Sequence, residues 1–411
     1  MLCSICKGKG LCGTSRMTSE ARRQTYCPIL TRFNMLKTVK EEFFGSTPPA
    51  VFVGRFGYPN VFAGVLTPNY VDENVAQLDS PEIWYQQNSK IDDILGYRSQ
   101  MIYSRSKTNV KPKNKFIEIQ QEIVQSKKPC DVEVKLKKRP RLQLRFDQMA
   151  EPIPNAALLE KIRLVENPTI PGIVDKTVSD YDLNSMDAVN LLYKYEIPVS
   201  TIQKIFSCGL LGIKIQRKLV PTRWSITATD DIISLKLLEE IRAYPEINEY
   251  QLFSNTYLGN HYEILLIPRY WSYELLEAKF PKSVWNFFGK EIIVYADYER
   301  FQKRKTYASN TTGGYYAVRL PITEYLAKIK RQATALIIRE CLPEYFAPLG
   351  VSILRECCRH AFDKKPVTFS ELNSALQFIK QRLKIPWHMI TEKSKLLKEL
   401  KVQKTLAGFY A

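Results

Sequence analysis

Residues 48–68 read PPAVFVGRFGYPNVFAGVLTP, two runs of β-branched and aromatic residues on either side of Gly57, Tyr58 and Pro59. Such residues suit a pleated, half-buried strand, and glycine and proline punctuate between strands, so the stretch predicts strand, turn, strand. Arg55 sits beside the turn. Residues 79–105, DSPEIWYQQNSKIDDILGYRSQMIYSR, change period: Ser80 can cap, Pro81 suits a first helical position, and Ile91, Ile94, Leu95 and Ile102 fall near helical spacing. Arg98 and Arg105 would then lie about two turns apart on one helix. A hairpin followed by a helix predicts an α+β fold in which a mixed sheet packs against helices.

Further along, residues 127–146, KKPCDVEVKLKKRPRLQLRF, carry Val132, Val134, Leu136, Leu142, Leu144 and Phe146 at even positions. Lys135, Lys137, Arg139, Arg141 and Arg145 stand at odd ones. An extended chain would have one apolar and one cationic face, either a solvated edge or a surface for phosphates. ENPTIPGIVDKTV (166–178) is a proline-rich entry into a second region, and residues 185–211 predict two short helices. Thr229, Asp230 and Asp231 suit the start of a helix over 230–241, where carboxylates meet the positive end of the helix dipole. Residues 260–274 and 290–301 read as strands, and 309–340 as a Gly-Gly turn running into a long helix. The expected divisions are a cysteine-rich module at 1–45, a region with basic strands at 46–165, an α+β domain at 166–395 and a tail at 396–411.

The chain has 411 residues, 45% of them apolar, and a formal net charge of +18. That is enough chain for two or three cores, and the charge favours polyanions such as nucleic acid or an anionic membrane surface. No apolar run is long enough to span a bilayer and no signal-peptide core is present, so an intracellular protein without a membrane anchor is expected.

Four of the nine cysteines fall in the first 27 residues, at Cys3, Cys6, Cys12 and Cys27. A Cys-x-x-Cys turn aims two thiolates at one point, and Zn²⁺ takes four in a tetrahedron, so a closed structural zinc site is expected. Cys130, Cys208, Cys341, Cys357 and Cys358 lack ligand spacing and read as buried packing residues.

Candidate chemistry elsewhere is sparse. Asp297 and Glu299 share a strand face and, with Asp230, are the candidate catalytic or metal-binding carboxylates. Arg319 follows the turn at 309–314, whose amides could cradle a phosphate. His261, His360 and His388 are scattered and suit packing or surface roles.

Taken together, CPIL (27–30), VFVGRFGYP (51–59), DSPEIW (79–84) with YRS (97–99), RKLVPTRWSITATDD (217–231) and NTTGGYYAVRLPITEYL (310–326) resemble the archaeal Nre family. The resemblance spans nearly the whole chain and implies a part in DNA repair, association with the replication sliding clamp (PCNA), and an archaeal cytoplasmic, nucleoid-associated setting. The gap between Cys12 and Cys27 is longer than the family's spacing. QKTLAGFY (403–410) fits the clamp-binding pattern through Gln403, Leu406, Phe409 and Tyr410: one 3₁₀ turn puts Leu406 and Phe409 on one side, with Tyr410 beside them and Gln403 at the rim. Two functions follow as expectations. One is a repair adaptor that holds DNA through its basic strands. The other is a clamp-delivered enzyme or nucleotide sensor, a metal-dependent nuclease or phosphoryl-transfer catalyst among them, in which Arg55, Arg223 and Arg319 clamp phosphates.

Overall fold

A computed structural model describes residues 39–111, 114–140 and 146–402. The cysteine module, Arg141 and the Gln403–Tyr410 motif lie outside the described residues. Two compact units are present: one reaches Ile232 and takes in Pro348–Ser352, and the other comprises Ile233–Ala347 and the chain from Ile353. The expected α+β class holds, with two mixed sheets and twelve α-helices among the described residues. None of those helices is long and apolar enough to cross a membrane.

The first unit is built on a six-stranded sheet of β1 (Glu42–Thr47), β2 (Val51–Val53), β3 (Asn60–Pro68), β4 (Met101–Asn109), β5 (Cys130–Leu136) and β6 (Asn155–Leu164), in the order β1-β5-β6-β4-β3-β2. The expected hairpin at 48–68 is present as β2 and β3, with Val51 opposite Val65 and Val53 opposite Ala63. Gly57 turns it at a φ of +82°, in the left-handed region that glycine enters at least cost. On one face, Val65, Ile102, Val132, Val134, Leu136 and Ile162 pack against Ile119 and Ile123 of the Lys115–Gln125 helix. Each such burial contributes roughly 1.5–3 kcal/mol.

Residues 79–105 differ from the single expected helix. Ser80 caps and Pro81 opens a short helix, Pro81–Gln86, as expected. Asn88 then adopts a φ of +51°, a second helix covers Ile91–Gln100, and Arg105 falls on β4. Met101, Ile102 and Tyr103 are buried as part of the sheet, so Arg98 and Arg105 are not partners on one helix. Arg98 is buried and paired with Asp79, which also accepts a bond from Lys204 at 2.7 Å.

β5 has the expected alternation of buried valines and exposed charges. It is an internal strand, however, lying between β1 and β6. Its outer face is ion-paired: Lys135 lies 2.9 Å from Glu42 and 3.6 Å from Glu160, and Glu133 pairs with Arg163 at 2.7 Å.

The two helices expected over 185–211 form as Ser185–Lys194 and Val199–Ser207. The next begins earlier than expected. Pro221 leaves its carbonyl for the amides of Trp224 and Ser225, and one twenty-residue helix runs Thr222–Ile241. Its small hydroxyl residues Ser225 and Thr229 are buried, so their side was legible as packing surface only in three dimensions.

The second unit holds β7 (Tyr250–Tyr257), β8 (Asn260–Ile267), β9 (Ser272–Lys279), β10 (Ile293–Glu299), β11 (Thr334–Cys341) and β12 (Val367–Phe369), ordered β10-β9-β11-β8-β7-β12. β11 runs parallel to β9 and is buried along its whole length. Leu265, Leu276, Leu336 and Ile338 pack with Ala375 and Ile379 of the Leu372–Arg382 helix and with Leu396 and Leu397. Residues 395–402, expected mostly in the tail, thus form a helix seated on this core. Glu274 of β9 caps it, accepting the amides of Lys395 at 2.7 Å and Leu396 at 3.2 Å.

Candidate functional site

A cleft of about 590 Å³ opens in the first unit. Its floor comes from the β2–β3–β4 meander, where alternation places Phe52, Phe62, Tyr103 and Arg105 on the face away from the Val53, Val61 and Ala63 core. Phe52 and Tyr103 meet edge to face at 5.4 Å, and the Tyr103 hydroxyl donates to the Phe62 carbonyl at 2.9 Å. Gly64 is the strand partner of Arg105. A Cβ at Gly64 would stand 2.0 Å from the Ser104 carbonyl oxygen, so only glycine fits there. Without a side chain at Gly64 between them, the Arg105 guanidinium lies over the Phe62 ring, 4.2 Å from its centroid.

The opposite wall is Phe146, Asp147 and Arg223. Asp147 accepts the Met149 amide at 2.8 Å and pairs with Arg223 at 3.3 Å. The two side chains are partly exposed, so this pair contributes at most about 1 kcal/mol and acts chiefly to aim the guanidinium. Arg223 is on the first turn of the Thr222–Ile241 helix, and that helix is tied to β2 by the Val53 amide, which donates to the Thr222 hydroxyl at 2.9 Å. Arg55 and Phe56 complete the rim from the hairpin turn. Beside them, the rings of Tyr58 and Trp224 pack at 5.3 Å.

Of the expected phosphate-binding residues, Arg55 and Arg223 therefore share one cleft. Arg319 belongs to the second unit, where it is buried and donates to Glu299 at 3.0 Å and to Ser234 at 3.2 Å. Lys135 lies among the acids of the outer face of β5, and Lys137 and Arg139 are exposed beyond that strand's end.

The candidate carboxylates are each engaged within the fold. Asp230 is buried mid-helix and accepts from Gln203 at 3.2 Å. Glu299 accepts from the Trp271 indole at 3.1 Å. Asp297 accepts the Asn310 and Thr311 amides at 3.0 and 2.8 Å, and Arg304 lies 3.3 Å away. The turn amides read as a phosphate cradle thus serve a carboxylate of the same unit. Among the described residues, no group of three or more His, Cys, Asp or Glu side chains converges as a metal site.

Sequence reasoning missed Phe62, Tyr103, Arg105, Phe146 and Asp147. The signal was faint: Tyr103 and Arg105 are two apart, which becomes one face only once the segment is known to be a strand. Chemically, the cleft offers aromatic and guanidinium planes on which a flat ring can stack, with cations at the rim for phosphate. Three arginines face one aspartate.

Known proteins resemble this chain along most of its length. The family model described as archaeal Nre, N-terminal, matches residues 22–286, and that described as archaeal Nre, C-terminal, matches residues 299–409. DNA repair protein NreA of Archaeoglobus fulgidus is 38% identical over 386 residues, 93% of each chain. DNA repair protein NreB of the same organism is 36% identical over 409 residues, 100% of each chain. DNA repair protein NreA of Haloferax volcanii is 35% identical over 362 residues, 86% of each chain. No solved structure matches.

Proposed function

Because the chain belongs to the archaeal Nre family of DNA repair proteins, we propose that it contacts DNA through the aromatic–arginine cleft of its first unit and is recruited by a sliding clamp through its last residues. The observation that carries the DNA contact is the stacking of Arg105 on Phe62 in a cleft rimmed by Arg55 and Arg223. A net charge of +18 adds long-range attraction to the same partner.

Recruitment is supported by the spacing of Gln403, Leu406, Phe409 and Tyr410 in the sequence. The Lys395–Val402 helix is anchored by Glu274 and by Glu399, which receives Arg300 at 2.6 Å, and the motif follows it at once. Such a plug requires an apolar socket with a polar rim on its partner, and PCNA is the proposed partner. The cysteine set suits a structural zinc ion, four soft thiolates with no open position.

The engagement of Asp230, Asp297 and Glu299 favours a binding role over a catalytic one. The test is equilibrium binding of the full chain to single-stranded and duplex DNA across a salt series. Affinity should fall steeply with salt, as released counterions require, and a chain ending at Val402 should keep DNA binding while losing PCNA. Salt-independent or absent DNA binding would defeat the cleft assignment, and PCNA binding by the shortened chain would defeat the tail assignment.

A further inference from the structure

We infer that the tip of the β2–β3 hairpin is a wedge that opens the base stack of DNA, with Phe56 as the inserted side chain; the inference rests on the DNA contact proposed above. Phe56 is 80% exposed. Isolated apolar residues on a surface are ordinary, so exposure alone assigns nothing. Its surroundings do. Phe56 stands in a short turn closed by bonds from the Gly54 amide to the Phe62 carbonyl and from the Asn60 amide to the Gly57 carbonyl, both at 2.8 Å. One flank of that turn is braced by the Tyr58–Trp224 ring contact. An inserted side chain has to be carried on backbone that does not yield when pushed against stacked bases, and this turn meets that requirement.

Cations stand beside the exposed ring. The Arg55 guanidinium lies 4.8 Å from the Phe56 ring centroid, and Arg223 lies on the same rim. Proteins that insert apolar wedges between base pairs offset the unstacking by holding the backbone on either side. The displaced base also has a place to go. The cleft adjoining Phe56 has the volume of a small-ligand pocket, and its Phe62, Tyr103 and Arg105 floor stacks on any base without regard to sequence. Unstacking costs a few kcal/mol and least at a mismatched or damaged position. The wedge would therefore favour weakened steps over intact duplex, a discrimination made by deformability rather than by reading base edges.

The experiment uses the full chain and a short duplex containing a central mismatch, with 2-aminopurine next to the base to be displaced in the same strand. This reporter stays in the duplex and brightens when its neighbour leaves the stack. With each protein at its own saturating concentration, the wild type and Phe56→Leu should raise the fluorescence severalfold, whereas Phe56→Ala should leave the signal near that of free duplex. Because Phe56 is outside the core, a thermal melt should show all three equally folded. An undiminished rise with Phe56→Ala, or saturation of the duplex by wild type with no rise, overturns the wedge while leaving the DNA contact standing. Absence of salt-dependent binding by wild type overturns both.

Discussion

Arg105 and Phe62 sit on neighbouring strands with the Arg105 guanidinium 4.2 Å from the ring centroid, reaching over a glycine that no other residue could replace. The pair presents a flat, positively charged surface inside the cleft. Base stacking on such surfaces contributes about 1–3 kcal/mol per base. Phe62→Ala should weaken binding to single-stranded DNA by about 5- to 150-fold with little change in the salt slope. Arg55→Ala should also weaken it, and should lower the salt slope by about one. Fluorescence anisotropy at several salt concentrations separates the two effects.

Ser394 links two elements of the second unit. Its hydroxyl accepts the Leu397 amide at 2.9 Å and donates to Glu274, so it caps the helix that precedes the proposed clamp-binding motif. Ser394→Ala should cost about 0.5–2 kcal/mol, read as a lower urea midpoint, and should make the C-terminal segment more sensitive to protease. PCNA affinity should change little, because the motif itself is intact.

Two buried glutamates of the second sheet should respond to pH with opposite sign. At Glu263, burial opposes ionisation, but bonds from His261, Ser254 and Arg382 outweigh it and hold the carboxyl below the usual range. Its stabilising contribution is present above the ordinary glutamate pKa of about 4.3 and is lost as pH falls through the lower folded value. Glu263→Gln should therefore be less stable than wild type at neutral pH, with the gap narrowing in acid. At Glu274, burial exceeds the effect of the Ser394, Lys395 and Leu396 donors and raises the pKa. Its contribution is complete below about pH 4.3 and is lost as pH rises through the folded value, so the Glu274→Gln deficit should narrow toward neutral pH instead. Urea unfolding at stepped pH distinguishes the two.

The cysteines should divide into two reactivity classes. Cys130, Cys208, Cys341, Cys357 and Cys358 are buried free thiols. Burial pushes Cys208 and Cys357 up to about 12, and a thiol that does not ionise is a poor nucleophile. If Cys3, Cys6, Cys12 and Cys27 hold zinc, a chelator should release one zinc per chain and expose four thiols to a disulfide reagent before denaturant exposes the other five. Nine reactive thiols without denaturant would contradict the burial, and no zinc release would contradict the metal site.

Local physics made several things readable from residue order alone. β-branched and aromatic runs around a turn marked β2 and β3, alternation marked β5, and a capping serine before a proline marked the start of the helix at Pro81. Those features depend on contacts within a few residues, which sequence spacing encodes directly. The cleft depends on something else. Phe62, Arg105 and Arg223 are far apart in the chain and meet because β3 pairs with β4 and the Thr222 hydroxyl holds a helix against β2. The same long-range pairing made β5 an interior strand whose lysine meets acids, and gave the Asn310 and Thr311 amides to Asp297. A side chain's partners are set by whichever groups packing brings within a few ångströms, and no local period carries that information.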